Sequence, residues 1–378
     1  MSSVVAVLSS SVVNVEGPRF FKEWLEIDFS GISYVSSFEI GGRLFLGAIN
    51  TNTNHQHQEV IIYEIANDSV LVHVQTIQVE SPVSFKSFSI DSNNHFIAVA
   101  NDDEIFPSKL YKWNGTSTRF QKVQDFPTKG VKDVDFINIP NSGRFLVFSG
   151  YHDGLSYNTP SSIYVWISPM TLFVPYQKIP TTGARKVHFL TVETETYLTV
   201  ASEYDGNGNG RTNSSVFHWN GTRFNLFQLI PTYHAHDLYP FKIGCHFFLV
   251  AANFDNVSHN TTSNVYRLDN GRFVEHALIQ TNGAVAVESF TIESEHFLAV
   301  ANSFNEDAKN AETKSVIYKI TGPSLIPFQE VPTKSASYIH AFTLKESGCK
   351  ALVVSNKAGK AKLYKWTRVS IIKNSCCK

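Results

Sequence analysis

The segment DGNGNG (205–210) has the residue types and the spacing of a calcium-binding loop. Asp205, Asn207 and Asn209 alternate along it and Gly210 follows, which matches the first half of a D-x-[DN]-x-[DN]-G loop. Side-chain oxygens at this spacing can surround a hard cation, and glycine permits the tight turn. Only one carboxylate is present, and Val216 stands where such a loop has its bidentate glutamate. The pattern therefore predicts either a weak calcium site or a flexible Asn/Gly hairpin.

Two histidine pairs have the alternation that places side chains on one side of an extended segment. His234 and His236 occur in YHAHD (233–237), and His55 and His57 precede Glu59 in HQHQE (55–59). Imidazole is a common zinc ligand. Neither segment supplies a certain third ligand, so zinc binding and ordinary polar or surface histidine both stay open for each pair.

Motifs for catalysis are absent from the sequence. The chain has no Gly-x-Ser-x-Gly elbow, no phosphate-binding loop and no His-Glu-x-x-His, which are the short signatures of common hydrolase and nucleotide chemistry. The net charge of −1 and the pI of about 6.9 also argue against a nucleic-acid partner held by bulk charge. We expect a protein that is not an enzyme, with no certain cofactor beyond the calcium candidate.

The elements that must position these residues repeat along the chain. An apolar six-residue core recurs seven times, as FLGAIN (45–50), FIAVAN (96–101), FLVFSG (145–150), YLTVAS (197–202), FLVAAN (248–253), FLAVAN (297–302) and ALVVSN (351–356). A phenylalanine precedes each copy, at positions 38, 88, 136, 189, 241, 290 and 342. A period near 50 residues that persists through the chain is typical of a propeller or a solenoid.

Each repeat has the pattern of four short strands. A stretch that ends in the spaced phenylalanine comes first and the apolar core second, followed by runs such as SVIYKI (315–320) and LIPFQEVPT (325–333). These runs are rich in β-branched and aromatic residues and are separated by Gly, Asn, Asp and Pro, without helical periodicity. Four antiparallel strands in a unit of this length indicate a propeller blade. The predicted fold is all-β, a seven-bladed β-propeller of four-stranded antiparallel blades.

We expect residues 1–378 to form a single propeller domain without linkers. The last repeat stops after its third strand, AKLYKW (361–366), and RFFKEWLEI (19–27) is an unassigned strand near the N-terminus. We expect this strand to complete the last blade and close the ring, which removes exposed sheet edges. The predicted repeats lie near 28–81, 82–129, 130–182, 183–234, 235–282, 283–335 and 336–366 plus 19–27, with a tail at 367–378.

The repeat resembles the EAR repeat, also called the epitempin or EPTP repeat, as found in the leucine-rich glioma-inactivated proteins and the laminin-G/EAR protein. The resemblance rests on the rhythm F–x(6,9)–[FY]LxVAN, S-x-[VI]-Y-x-[WI] and F-x-x-[FV]-Q-x-[IV]-P-T, and it extends from about Arg19 to Trp366. It implies an extracellular module that binds proteins or mediates adhesion without catalysis.

The location of the protein stays open on the sequence alone. The N-terminal MSSVVAVLSSSVV lacks the basic region of a signal peptide, so a cytoplasmic location is the alternative to the extracellular one. No apolar run reaches the ~20 residues that a membrane span needs. We expect Cys245 and Cys349, which fall at or beside apolar strands, to be buried thiols rather than a disulfide bridge, while Cys376 and Cys377 lie in the tail.

Recognition is expected on one face of the propeller, and solvated hairpin tips without a binding role are the alternative for its loops. The connections between second and third strands are long and dissimilar, as in YHDGLSYNTPSS (151–162) and EYDGNGNGRTNS (203–214), and loops on a rigid scaffold commonly carry binding sites. Tyrosine is enriched at binding hot spots. The predicted partner-binding residues are Tyr151, His152, Tyr157, Tyr204, Tyr233, His234, His236 and Tyr239.

Three further acidic residues are predicted beside the central channel. Asp133, Asp135 and Asp237 fall on first strands, near the channel entrance, where they could share a cation or accept hydrogen bonds from neighbouring strands.

Two kinds of partner remain for this face. Protein recognition or adhesion is the first prediction, and a carbohydrate-binding lectin is the alternative, because polar loops in sevenfold array suit multivalent weak binding.

Asn-x-Ser/Thr sequences, the acceptors of N-linked glycans, occur at about the number expected by chance, at Asn67, Asn114, Asn213, Asn220, Asn256 and Asn260.

Overall fold

The computed structural model describes residues 16–51, 58–254, 260–304, 312–322 and 324–370. Every regular element in these ranges is a β-strand. The first fourteen strands are β1 (Glu16–Ser30), β2 (Ile32–Ile40), β3 (Arg43–Asn50), β4 (Gln58–Ala66), β5 (Val70–Val79), β6 (Pro82–Asp91), β7 (Asn94–Asn101), β8 (Ser108–Asn114), β9 (Arg119–Phe126), β10 (Val134–Ile139), β11 (Gly143–Phe148), β12 (Ser161–Ile167), β13 (Leu172–Ile179) and β14 (Ala184–Val192).

The second fourteen strands complete the described chain. They are β15 (Glu195–Ser202), β16 (Arg211–Trp219), β17 (Phe224–Tyr233), β18 (Ala235–Ile243), β19 (His246–Asn253), β20 (Asn260–Asp269), β21 (Arg272–Asn282), β22 (Ala284–Ile292), β23 (Glu295–Asn302), β24 (Glu312–Thr321), β25 (Ser324–Lys334), β26 (Ala336–Thr343), β27 (Lys350–Asn356) and β28 (Lys360–Ser370).

The strands form seven four-stranded antiparallel sheets, which confirms the predicted propeller. Blades 1 to 6 take four consecutive strands each, beginning at β2, β6, β10, β14, β18 and β22. Blade 7 consists of β26, β27, β28 and β1. The first strand of each blade lies innermost and contacts the first strands of both neighbouring blades around the ring.

The N-terminal strand closes the ring, as predicted. β1 is antiparallel to β28, with Phe21 opposite Trp366 and Leu25 opposite Leu363. The Phe21 side chain is only 2% exposed, and its ring lies 5.1 Å from Trp366 and 5.7 Å from Phe290 of blade 6. Closure therefore buries an aromatic residue in the junction between blades 6 and 7 as well as pairing an edge strand.

The core is distributed over the junctions between blades. Each junction holds a buried cluster drawn from two adjacent sheets, such as Phe145, Val187 and Phe217 between blades 3 and 4. Second strands are covered on both faces, so β23 is buried from Phe297 to Asn302 without alternation. This explains why the repeated core reads as a continuous apolar run rather than as alternating apolar and polar residues.

A buried hydroxyl pair accounts for two polar positions of the repeat in blades 2 to 6. The Ser214 hydroxyl of the third strand lies 2.9 Å from the Thr232 hydroxyl of the fourth strand and accepts the Ser202 N–H of the second. The equivalent pairs are Ser108 and Thr128, Ser161 and Thr181, Ser263 and Thr281, and Ser315 and Thr333. The hydroxyls are thus satisfied inside the sheet, as buried polar groups must be.

A glutamine of the outermost strand clamps each of five blades to the next. The Gln177 amide of blade 3 donates to the Phe224 carbonyl of blade 4 at 2.8 Å and accepts the Phe224 N–H at 3.0 Å. The same pair of bonds joins Gln75 to Phe120, Gln124 to Phe173, Gln228 to Phe273 and Gln329 to Phe21. We call these contacts the glutamine clamps.

Two junctions among the described residues have apolar side chains in place of the clamp. Ala277 and Leu325 pack into the cluster between blades 5 and 6, and Leu25 and Leu71 into the cluster between blades 7 and 1. Glutamine and phenylalanine are replaced together at both junctions, by Ala277 facing Leu325 and by Leu25 facing Leu71.

The two internal cysteines are free thiols rather than a bridge, as predicted, but the prediction that they are buried is wrong. Cys245 is exposed and Cys349 is partly exposed, and both are free thiols. Cys245 belongs to the two-residue turn between β18 and β19, so it lies at the end of the apolar strand rather than within it.

Candidate functional site

The connections between second and third strands and the joins between blades lie on one face, which we call the loop face. The backbone N–H of the residue after the second strand donates to the carbonyl of the residue at the blade join, as for Glu203 and Gly183 at 2.9 Å and for Ser303 and Gly283 at 2.9 Å. The join needs a left-handed backbone, which glycine adopts without strain. Gly183 has φ 49°, but His234 takes the same conformation with φ 43°.

His234 fits at its join because Gly210 makes room for it. A Cβ atom at Gly210 would lie 1.9 Å from His234 Nε2, and the His234 N–H donates to the Gly210 carbonyl at 2.8 Å. Histidine therefore replaces glycine at the join, and the facing position is a glycine, whose lack of a side chain leaves room for the imidazole. The exchange places an imidazole among the aromatic residues of the loop face.

The loop face carries a cluster of aromatic rings, which we call the aromatic patch. Six of its rings form one connected group with centroids between 4.6 and 5.4 Å apart. A separate stacked pair, His236 and Phe254, has centroids 4.4 Å apart and is joined to the six through Glu203, which contacts Tyr151 and His236. The members are Tyr151, His152, Tyr157, Tyr204, Tyr233, His234, His236 and Phe254. The structure thus brings seven of the eight predicted partner-binding residues into one region.

Tyr239 lies apart from the aromatic patch. Its ring is 5.4 Å from His188, inside the channel, and burial raises its pKa above the usual value. Phe254 belongs to the patch but was not predicted from the sequence. It directly follows the second strand of blade 5, where Tyr151 and Glu203 stand in blades 3 and 4, so an alignment of the repeats could have identified it.

Glu203 joins the patch to the channel mouth. Its Oε2 atom accepts from Arg185 Nη1 at 2.8 Å and from the Tyr151 hydroxyl at 3.0 Å. The Glu203 side chain is only 8% exposed. Burial alone would raise the pKa of Glu203, but the Arg185 guanidinium holds it well below the usual range. The carboxylate is therefore a fixed negative charge that orients both donors.

His236 is the buried imidazole of this region. It stacks on Phe254 with centroids 4.4 Å apart, and its Nε2 lies 3.3 Å from Glu203 Oε1. Neither ring nitrogen makes a well-oriented hydrogen bond to the described residues. Burial, together with the Arg185 charge, lowers the pKa of His236 to about 4, so the ring is neutral at physiological pH.

The channel behind the mouth is lined by paired charges. Asp133, Asp135 and Asp237 accept the N–H groups of Val187 at 3.1 Å, Phe189 at 2.8 Å and Val287 at 3.2 Å. Each N–H belongs to the first strand of the next blade, whose inner edge has no partner strand, so the carboxylates satisfy that edge.

Basic side chains balance these three carboxylates. Lys86 Nζ lies 2.7 Å from Asp135, His188 Nε2 lies 2.7 Å from Asp237, and Lys186 Nζ lies 4.0 Å from Asp133. Burial opposes protonation of His188, but the Asp237 charge outweighs it and raises the pKa of His188. These contacts tie the three aspartates to neighbouring blades.

The DGNGNG segment forms a hairpin that uses its own donors. Asp205 Oδ1 accepts the N–H groups of Asn207 and Asn209 at 2.8 Å, and Asp205 Oδ2 accepts from Asn209 Nδ2 at 3.0 Å. The calcium site stays a prediction. A cation there would have to compete with these bonds for the only carboxylate of the loop.

Zinc at the histidine pairs also stays a prediction. Within the described ranges, no group of three or more His, Cys, Asp and Glu side chains is arranged to hold a metal ion. His234 and His236 take part in the aromatic patch, whereas His55 and His57 lie outside the described residues. Asn256 and the Asn260 side chain lie outside them too.

The fold defines a repeat-built, seven-bladed β-propeller. The chain belongs to the EPTP domain family, whose model matches residues 71–114, 172–220, 223–269 and 272–320. This confirms the resemblance that the repeats indicated.

Curated relatives agree with this membership. The mouse "Thrombospondin-type laminin G domain and EAR repeat-containing protein" is 31% identical over 70% of this chain and 41% of its own length, and its human counterpart is 30% identical over 72% and 42%. The mouse "Leucine-rich repeat LGI family member 3" is 26% identical over 52% of this chain and 32% of its own. The chain therefore spans about two fifths or less of the length of these relatives.

Among solved structures, the chain matches the β-propeller domain of the Trilobed protease from Pyrococcus furiosus. The match covers 90% of this chain and 96% of that domain, with a TM-score of 0.48 and 10% sequence identity.

In the part of the chain that the structure describes, no helix is long and apolar enough to span a membrane.

Proposed function

We propose that this protein is a non-catalytic binding module that acts outside the cell and recognises a protein partner, as in adhesion, through its loop face. The observation that carries the proposal is the aromatic patch, because connected rings of blades 3 and 4 and of the join to blade 5 lie together on the loop face. Aromatic side chains dominate the binding energy of many protein interfaces, particularly where they cluster centrally. The EPTP family membership supports a binding role over catalysis.

The patch is suited to a preformed interface. Its tyrosines are partly exposed, while neighbouring loops hold them in place. A Cβ at Gly206 would lie 2.3 Å from Asn158 Oδ1, and one at Gly183 would lie 2.5 Å from the Tyr204 carbonyl oxygen. Loops in such close contact lose little conformational entropy on binding, which favours affinity.

The test is a screen of the labelled full-length protein against an array of extracellular protein domains, followed by titration of each hit. We expect Tyr157→Ala to weaken binding about 30-fold, which corresponds to the ~2 kcal/mol of a hot-spot residue. Tyr176→Ala, on the outermost strand of blade 3, is the matched control and should leave the Kd unchanged. Hits that bind Tyr157→Ala and the wild type equally would contradict the proposal.

A carbohydrate ligand is the second candidate, because equivalent grooves occur at neighbouring blade junctions. A groove of about 650 Å³ between blades 4 and 5 is lined by Arg211, Asn213, Tyr233 and Thr262, among others. A groove of about 460 Å³ between blades 3 and 4 shares Asn213. A glycan array with and without EDTA tests this ligand class and the calcium prediction together. Binding that Arg211→Ala does not weaken would argue against the groove, and binding that survives EDTA would argue against calcium at Asp205.

A further inference from the structure

Three asparagines of Asn-x-Ser/Thr sequences lie at the same turn of their blades. Asn67, Asn114 and Asn220 lie where the third strand turns into the fourth, in blades 1, 2 and 4. Third strands run away from the loop face, so these turns lie on the opposite face, which we call the turn face. Asn213, the other such asparagine with a described side chain, stands near the loop-face end of β16.

The side-chain oxygens of two of these asparagines hold their turns together. Asn220 Oδ1 accepts the N–H groups of Thr222 at 3.0 Å and Arg223 at 2.8 Å, as well as the Thr222 hydroxyl at 3.0 Å. Asn114 Oδ1 accepts the Thr116 N–H at 3.0 Å. An N-linked glycan is attached through Nδ2 instead. Modification therefore leaves the bonds that define each turn intact.

The space around these turns is open. Asn67 and Asn220 are exposed and Asn114 is half-buried. A Cβ placed at Gly115 or at Gly221, the residues after Asn114 and Asn220, would meet no atom within 4 Å. Asn114 Nδ2 is 3.4 Å from Gln121 Oε1, and a glycosylated amide keeps one N–H for that contact. A branched sugar can therefore leave each turn without displacing the blade.

We propose that Asn67, Asn114 and Asn220 carry N-linked glycans, which cover the turn face, on the side of the ring opposite the aromatic patch. The asparagine Nδ2 forms a bond to C1 of a lipid-linked oligosaccharide, the bond from C1 to the diphosphate oxygen breaks, and the nitrogen releases one proton. An oligosaccharyltransferase supplies the catalysis and the lipid diphosphate is the leaving group. The inference rests on the proposed extracellular location and is independent of which partner binds.

The experiment uses the full chain, both from its own cells and from mammalian cells that secrete it behind a cleavable signal. Treatment with peptide-N-glycosidase F in ¹⁸O water converts each glycosylated asparagine to labelled aspartate, which peptide mass spectrometry locates. We expect label at all three turns. Each label should disappear in the variant that removes the hydroxyl residue of its sequence: Ser69→Ala, Thr116→Ala or Thr222→Ala.

Introducing a new glycosylation sequence at the same turn of another blade tests whether the position of the turn allows modification. Asn270 stands at the same turn of blade 5 in the sequence Asn270-Gly271-Arg272, so Arg272→Thr should add one glycan. If Thr222→Ala fails to fold, Asn220→Asp keeps the oxygen that holds the turn and removes the nitrogen that is modified. Protein without label at the three turns, or a triple variant that retains glycan mass, would overturn the proposal. Failure to find a protein partner would leave this result unaffected.

Discussion

Replacement of Glu203 by glutamine should destabilise the propeller more than any surface charge change. The carboxylate accepts from Arg185 at 2.8 Å and from Tyr151 at 3.0 Å, and its side chain is 8% exposed. Removing one partner of a buried ion pair costs about 3–5 kcal/mol. Because the Arg185 side chain is 29% exposed, water recovers part of this energy, and we expect a loss of about 2–3 kcal/mol in the free energy of unfolding.

Urea denaturation measures this loss directly. With a slope of about 3 kcal/mol per molar, the midpoint should fall by roughly 0.7–1 M. Glu195→Gln is the control on the same blade, because Glu195 is 51% exposed and pairs with His218. Surface pairs contribute about 1 kcal/mol or less, so this variant should stay close to the wild type.

A double-mutant cycle separates the ion pair from the general cost of the substitution. If the pair is the cause, Arg185→Met should be nearly harmless once Glu203 is already glutamine, with a coupling energy above about 1 kcal/mol. Equal midpoints for Glu203→Gln and Glu195→Gln, or additive effects in the cycle, would refute the reasoning. Either result would mean that solvent screens the Glu203 carboxylate far more than its burial implies.

Three further predictions follow from the same structure. Gln177→Ala removes both bonds of a glutamine clamp and should lower the free energy of unfolding by about 1–3 kcal/mol, as measured by urea denaturation. Gln121→Ala changes an exposed position of a strand and should lower it by less than about 0.5 kcal/mol. Equal losses in the two variants would mean that the clamp does not stabilise the protein. Deletion of residues 1–27 removes most of β1 and exposes the edge of β28, so we expect the truncated protein to aggregate, as measured by light scattering. A soluble monomer with an unchanged melting temperature would contradict the closure of the ring by β1. The pKa of His236 is about 4 in the folded protein and ordinarily about 6.5. The unfolded chain therefore takes up the proton first as the pH falls, and His236 contributes up to about 3 kcal/mol of stability above pH 6.5 that is lost between pH 6.5 and 4. His236→Asn should flatten that part of the stability profile, and an unchanged profile would count against the low pKa.

The number of blades and the closure of the ring were predictable because both depend on the spacing of apolar residues. A strand covered on both faces must be apolar throughout, so the six-residue core appears in each repeat whatever its loops contain. The N-terminal strand was recognisable because the last repeat lacked a fourth strand. The number of blades and the closure of the ring both follow from local sequence patterns and from the length of the repeat, which can be read from the sequence alone.

The side-chain contacts of the site were less predictable. A bulge between Ala235 and Asp237 interrupts the pairing of β18 with β19, and Tyr239, assigned to the loop face from its position in the sequence, lies in the channel. Four of the five glutamine clamps join residues 45 to 49 positions apart and the fifth joins residues 308 positions apart, so the repeated glutamine was visible but its partner was not. Cys245 was misjudged because a turn residue next to an apolar strand looks like part of it.

The uneven distribution of the glutamine clamps has a mechanical consequence. Clamps fasten blades 1 to 5 into one arc and blades 6 and 7 into another. At the two seams between the arcs, apolar side chains stand at the clamp positions, Ala277 and Leu325 at one seam and Leu25 and Leu71 at the other. Other hydrogen bonds still cross these seams, such as those from the Val287 N–H to Asp237 and from the Ser347 N–H to Asp68. Apolar contacts are non-directional and yield gradually, whereas paired hydrogen bonds fix the register of the strands they join. A load applied to the outermost strands would therefore meet these paired hydrogen bonds within the arc that bears the aromatic patch, but not at either of its ends.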